Sequence, residues 1–554
     1  MRPSRRRLAA RSASALSLLL VVGCSGPLDE TPGGASAPIS DGSTAAPERG
    51  PATVRVALGR DPASIDPRHL ADDEGELVVR ALFDGLVDLA PDGSIVPAAA
   101  SSWTIEDDGL TYRFLLRDDR FHDGTPVTAS DHVTAMLGVL DPDRAPLFRS
   151  DLLAALRGAE AAEVEEVLVA GGIEVVGPRE LVLRLSRPDP LLLHRLTDPV
   201  LVPLPASARL DPEGFAREPV GNGPFRMVGP REPGAFIRLA ANAAHPAPPR
   251  IDALVLQIYA ADADRTQRWE DLLAGRLQIT AIPAGQRSEA RERFGVALDG
   301  RRGRGLYEEP GATLYAYGFA TDVAPFDDPV LRRAVSAAID REAMAQELGV
   351  AAVDAADAIL PPLLGGVPTD CPHCRFDPVL ASDLISEWRA GLPEGMSEPQ
   401  VTLTYPRGDG HVAIAERIAA DLERVLELDV RLQSRDLGAL VRSVVAGEAP
   451  LFRYGLRAAI GGQAAAVTLL DPAFRPGAAE NWVRWADPET VALLDELQRT
   501  ADPALARAVE GAVLDAAAVV PLLWSRPDLV VHSDVIGFRL DVSGRWWPEL
   551  LRLR

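Results

Sequence analysis

ALFDGLVDLAPDGSIVPAAASSWTIEDDGLTYRFLLRDDRFHDGTPVTASD, residues Ala81–Asp131, changes character several times in one stretch. Its start lies inside Glu76–Leu86, where apolar residues recur at helical spacing. Tyr112–Arg117, YRFLLR, reads as a strand, with Trp103 before it as a core aromatic. Phe121-His122-Asp123-Gly124-Thr125 reads as a turn whose glycine permits a positive φ. Thr128-Ala129-Ser130-Asp131 has the form of a capping box and opens a helix toward Leu140.

The same alternation extends in both directions. Upstream, Thr53–Leu58 alternates like a strand, and Asp-Pro turns follow at Asp61-Pro62 and Asp66-Pro67. Downstream, strands are expected at Leu181–Leu185, Ile251–Tyr259 and Leu277–Ile282, with a helix over Asp262–Gly275. Thr313–Ala320 reads as a strand. Asp328 and Pro329 suit the cap and first turn of a helix. Leu331, Val335, Ala338 and Ile339 line one face of that helix, which leaves Arg332 and Arg333 on the solvated side. Val401–Tyr405, Asp429–Gln433 and Leu451–Leu456 read as strands. Between them lie a helix marked by Ile414, Ile418, Leu422, Val425 and Leu426, and a second at Leu437–Ala446. Strands alternating with helices predict a βαβ lobe with a mainly parallel sheet.

The chain of 554 residues is too long for one small core, and three or four lobes or subdomains are expected. A hydrophobic content of 47% with 25% charged residues describes an ordinary globular body. No lysine occurs, so all 57 basic residues are arginine, a bias that reads as codon usage. The net charge of −23 argues against nucleic acid as a partner, because phosphate binding needs a basic surface.

At the N-terminus Arg2, Arg5, Arg6, Arg7 and Arg11 precede an apolar run from Ala15 to Val22. That run is shorter than the roughly 20 residues a membrane span needs, and it reads as a secretory signal. Val21-Val22-Gly23-Cys24 resembles the bacterial lipobox, which implies cleavage after residue 23 and acylation of the Cys24 sulfur. Residues 24–50, rich in Gly, Ser, Pro and Ala, read as a flexible tether at the outer face of a membrane. Both Sec and twin-arginine export stay open.

Motifs for catalysis are missing. The chain has no HExxH, no phosphate loop of the GxxxxGK type, no GxGxxG after a strand and no GxSxG elbow. His194 and His245 read as surface or core residues. Cys371 and Cys374, with Cys24, are the only cysteines, too few for a zinc site. In an exported chain the pair reads as a local disulfide, with a redox-active CxxC as the other reading. No metal, cofactor or catalytic residue is expected.

Taken in order, VALGRDPASIDP (Val56–Pro67), the Ala81–Asp131 stretch, GNGPFRM (Gly221–Met227), PFDDPVLRRAVSAAIDREAM (Pro325–Met344) and FDPVLASDLI (Phe376–Ile385) resemble the family 5 extracellular solute-binding proteins, the dipeptide- and oligopeptide-binding class that serves ABC importers. The resemblance runs from about Thr53 to the C-terminus. It implies an α/β, hinge-linked, two-lobed periplasmic-binding-protein-like fold of type II with an extra subdomain. Lobe one would take 51–310 plus 520–554, with the subdomain at about 90–195, and lobe two 311–519. The crossings would fall near Thr313–Tyr317 and Val520–Trp524. It further implies a monomer on the extracytoplasmic face of the membrane that traps a peptide between lobes and passes it to permease subunits. Candidate ligand contacts are Ser64, Ile65, Phe225, Tyr315, Tyr317, Tyr454, Arg457 and Trp524. Gly221-Asn222-Gly223 would form a tight backbone feature beneath the cleft.

One departure bears on the ligand. Peptide-binding members carry a Trp-x-x-Asp-Tyr-Pro-Asp-Pro stretch whose first aspartate pairs with the peptide amine. The matching region here is AAAVTLLDPAF (Ala464–Phe474). With Asp471-Pro472 as the terminal Asp-Pro, Thr468 stands at the acidic position and Ala465 at the tryptophan. An ammonium buried without a counter-ion is costly. Asp436 or Asp471 would have to substitute, or the ligand is not a free-amine peptide. The resemblance also covers carriers of nickel chelates, opines and oligosaccharides, and a receptor or scaffold lipoprotein with a degenerate cleft stays open as well.

Overall fold

The computed structural model describes residues 51–141, 152–159, 166–259, 264–298, 303–308, 311–347, 353–361, 364, 371–394, 398–407, 409–458, 464–478, 480–525, 529–541 and 543–554. The expected signal segment, Cys24 and the tether lie outside the described residues.

Thr53–Leu58 forms the middle of a seven-stranded sheet. Its alternation puts Val54, Val56 and Leu58 into the core. It runs parallel to Ala253–Ile258, with Val54 opposite Leu254 and Val56 opposite Leu256, and pairs on its other edge with Ile279–Ala281. Phe236–Ala241 and Phe225–Met227 extend one side, and Leu529–Val531 and Gly305–Tyr307 the other. An antiparallel sheet of four strands, Ala100–Glu106, Thr111–Leu116, Glu180–Arg184 and Ile173–Gly177, makes the extra subdomain. Phe114 and Leu181 of that sheet share one apolar core with Val54 and Leu256. The Asp73–Leu82 helix starts earlier than its apolar spacing suggests, because Asp72 caps it by accepting from Gly75 N at 2.8 Å.

The second lobe is built on a six-stranded sheet in the order Val353–Ala355, Val519–Ser525, Thr313–Phe319, Leu451–Arg457, Val401–Pro406 and Val430–Arg435. It is a wall between two cores. Phe452, Tyr454 and Trp524 face the helices Ala465–Phe474 and Pro503–Asp515. Phe319, Leu403 and Leu522 face Pro329–Ala338, Pro378–Gly391 and Asp409–Leu426.

Three expectations are corrected. The sheet is mixed, since three of its five pairings are antiparallel and only those of Val401–Pro406 are parallel. Thr313–Phe319 is flanked by strands far along the chain and not by its sequence neighbours, so βαβ order does not govern its pairing. Next, Val519–Ser525 belongs to lobe two, with Leu314 opposite Trp524 and Gly318 opposite Val519. Its near-continuous burial fits a strand covered on both faces. The next described strand, Leu529–Val531, lies in the seven-stranded sheet of lobe one. Last, Arg332 is buried, not solvated. It donates to Phe326 O at 2.7 Å and to Ala516 O at 2.7 Å, and Arg333 donates to Asp515 O at 2.7 Å. The two guanidiniums close the carbonyl end of the Pro503–Asp515 helix, where cations are favoured.

Candidate functional site

A cavity of about 360 Å³ lies between the lobes. Lobe one contributes the N-terminal turns of the Asp73–Leu82 helix and the Leu191–Asp198 segment. Lobe two contributes the end of the Leu451–Arg457 strand, the Ala465–Phe474 helix and Trp482. Asp73, Glu76 and Arg80 reach it because positions three and four apart share one helix face. Arg453 and Arg457 reach it because strand residues two and four apart share one sheet face.

Ion pairs cross this space. Arg457 donates Nη1 to Asp73, and its Nη2 lies 3.7 Å from Glu76 Oε1. Arg80 sits 3.9 Å from Glu76 and donates to Thr197 O at 3.0 Å. On the lobe-two wall, the Tyr454 hydroxyl donates to Glu480 O at 2.7 Å, and its ring lies 5.7 Å from that of Trp482. Arg453 lies 4.6 Å over the ring of Tyr315, whose hydroxyl is 2.8 Å from His411 Nδ1. Burial pushes the Tyr315 phenol up to about 12. Burial, with Arg453 adding to it, takes His411 down to about 4, so this imidazole is neutral at pH 7.

Of the candidate contacts, Tyr454 and Arg457 line the cavity. The others do not. Ile65 and Phe225 are fully enclosed in the lobe-one core, and the Ser64 hydroxyl accepts from Asp66 N at 3.0 Å inside a turn. Tyr317 and Trp524 are buried on opposite faces of the lobe-two sheet. Tyr315 stands behind Arg453. Gly221 and Gly223 press on the 82–83 backbone: a Cβ at Gly221 would come within 1.9 Å of Leu82 O, and one at Gly223 within 2.6 Å of Phe83 N. Gly124 has φ of 88°, which its turn needs.

The position expected from the resemblance to be acidic, Thr468, is uncharged. Thr468 lines the cavity and spends its hydroxyl on Ala465 O at 3.1 Å. Asp471 lines it too, but one of its oxygens accepts from Arg475 Nε at 2.9 Å and Nη2 at 2.6 Å. Asp436 caps the Leu437–Val445 helix through Ala439 N at 2.8 Å. In both residues these hydrogen bonds fall on Oδ1.

Sequence reasoning missed Glu76, Arg80, Arg453 and Trp482, and set His194 aside. The charged face at positions 73, 76 and 80 of an amphipathic helix and the alternating arginines at 453 and 457 were the available signals. Cys371 and Cys374 are bonded, with sulfurs 2.03 Å apart, away from the cavity. With His373 they are the one cluster of potential metal ligands among the described residues, and the bond consumes both thiols.

A sequence model of the bacterial extracellular solute-binding proteins, family 5 Middle, matches residues 94–471. The oligopeptide-binding protein OppA of Bacillus subtilis (strain 168) is 24% identical over 520 residues, which covers 91% of this chain and 93% of that protein. The solved structure of Burkholderia pseudomallei OppA matches with a TM-score of 0.73 at 21% identity, over 91% of this chain and 99% of that one. AgaA from A. tumefacien R10, solved in complex with agropinic acid, matches with a TM-score of 0.72 at 22% identity, over 91% and 99%.

Proposed function

This chain belongs to the family 5 bacterial extracellular solute-binding proteins, and from that premise we propose that it captures a small solute, in the first instance a peptide, between its lobes and delivers it to the permease of an ABC importer. The observation that carries the reading is the cavity walled by both lobes, with Asp73, Glu76 and Arg80 on one side and Tyr454, Arg457 and Trp482 on the other. Hinge closure over such a space buries the cargo without altering a covalent bond. Aromatic walls add contact area at low entropy cost. In this reading Cys24 carries the acyl anchor that holds the body near its permease, and the protein acts as a monomer. No helix among the described residues is long and apolar enough to cross a membrane.

A second reading, in which the cargo is not a free-amine peptide, is favoured by Thr468 at the amine-pairing position and by Arg475 on Asp471. A thermal-shift screen over peptides, opine-like acids, oligosaccharides and nickel chelates tests both. A cargo at 100 times its dissociation constant adds about 2.7 kcal/mol to the folded state. A shift with some member supports capture, and peptides against the other classes separate the two readings. No shift with any class would favour a scaffold with a degenerate cleft.

A further inference from the structure

Six carboxylates (Asp72, Asp73, Glu76, Asp198, Asp471 and Glu480) and four arginines line the cavity, so it is acidic overall, and what describes its cargo is how those charges are paired. Its acids are largely engaged. Asp72 accepts from Ala63 N at 2.7 Å and from Gly75 N at 2.8 Å. Asp73 and Glu76 face Arg457, Asp198 accepts from Val200 N at 3.0 Å, and Asp471 holds Arg475. Three of its arginines are engaged too: Arg80 with Thr197 O and Glu76, Arg195 with Asp189 at 3.1 Å, and Arg457 with Asp73.

Arg453 differs. Among the described residues no carboxylate pairs with it, and its Nε is buried with no hydrogen-bond partner. Its guanidinium is held by Tyr315, whose hydroxyl also meets it, and by the space at Gly455. Tyr315 lies beneath it at 4.6 Å, and Gly455 leaves the room it occupies, since a Cβ there would fall 2.2 Å from Arg453 Nη1. An aromatic face positions a cation but does not neutralise it. A guanidinium is always charged and presents a planar fork that fits a carboxylate. On the opposite lobe, His194 lines the same cavity with Nδ1 buried and unpartnered.

We propose that the cargo of this cleft is an anion whose carboxylate pairs with Arg453 when the lobes close, and that a free amine is not required for its capture. This rests on the capture reading above and narrows it to small acids, such as a peptide blocked at its amine or a sugar acid. His194 supplies a neutral hydrogen-bonding group to the uncharged part of the molecule.

The test is calorimetric titration of the full chain with matched probes: N-acetyl-trialanine, its C-terminal amide, trialanine amide, galacturonate and galactose. The expected result is binding of at least one acid, with its neutral counterpart weaker by about tenfold or more, the cost of leaving a charged hydrogen bond unmade. Arg453→Gln should lose that preference, and Arg453→Lys should keep part of it, with melting curves confirming that each folds. A neutral or amine-only probe that binds as well as its acid overturns the assignment while leaving capture intact. So does acid binding unchanged in Arg453→Gln. Silence from every acid of the panel overturns the assignment, and capture falls with it only if the thermal-shift screen over all four solute classes is silent too.

Discussion

Arg457, the last residue of the Leu451–Arg457 strand, donates to Asp73, the first residue of the Asp73–Leu82 helix, so that an ion pair joins one lobe to the other across the cleft. Both partners are accessible to water, which limits the pair to about 0–1 kcal/mol and leaves it open to screening by salt. That is too little to hold the fold but enough to bias two lobes about a hinge. Arg457→Ala should leave the denaturation midpoint unchanged and raise the radius of gyration of the unliganded protein. Raising salt from about 0.05 M to about 0.5 M should do the same to the parent chain. Scattering curves that overlay for parent and variant would remove the pair from any role in closure.

Gly223 packs against the backbone of residues 82–83 with no room for a side chain: a Cβ would stand 2.6 Å from Leu82 C and 2.6 Å from Phe83 N. Backbone cannot yield as a flexible side chain can. Gly223→Ala should cost about 1–3 kcal/mol in urea denaturation. Gly138, within the Ala129–Leu140 helix, is the control, because an added methyl group would meet nothing within 4 Å. Gly138→Ala should stabilise by up to about 1 kcal/mol.

Glu510 is buried, and its Oε1 accepts from Ile359 N at 2.7 Å and Leu360 N at 2.6 Å, while Oε2 has no partner. Burial raises its pKa from 4.5 to about 7. The folded state therefore holds this proton more tightly than the unfolded chain does. The contribution is fully present below pH 4.5 and is lost as pH rises through about 7. Glu510→Gln cannot deprotonate, so relative to the parent it should gain stability from pH 5 to pH 8, by about 3 kcal/mol in all. A stability difference between the two proteins that does not change with pH would contradict the assignment.

Much of the architecture was legible in the sequence because alternation and capping are local. Thr313–Phe319, Val401–Pro406 and Leu451–Arg457 fall within a residue or two of the expected strands. Pairing is not local, which is why the mixed sheet and the place of Val519–Ser525 were misread. Arg332 failed for a related reason: the Pro329–Ala338 helix is buried nearly all round, and an arginine survives there only because another helix offers its carbonyl end. At the site, aromatics were overvalued. Phe225, Tyr317 and Trp524 are large and apolar, and the core took them. The wall of the cleft carries ten charged residues among its 23, and a charged residue at a helix face carries no sign in sequence of what it will face across a gap.

Thr468 offers a gain-of-function test. It lines the cavity from the Ala465–Phe474 helix, at the position where the family resemblance leads one to expect an amine-pairing acid. Thr468→Asp should create or strengthen binding of trialanine by about tenfold, the worth of one charge-assisted contact, and should leave N-acetyl-trialanine unaffected. Equal effects on both peptides in calorimetry would show that residue 468 does not meet the amine.

The central claim is that two lobes close over a small acid and release it chemically unchanged. Small-angle scattering of the full chain, with and without the tightest-binding acid of the probe panel, tests it most directly when the solute is recovered afterwards and weighed by mass spectrometry. The account predicts a smaller radius of gyration with the acid, no change with its neutral analogue, and recovery of the intact solute. Identical scattering with every solute, or recovery of a converted product, would contradict it.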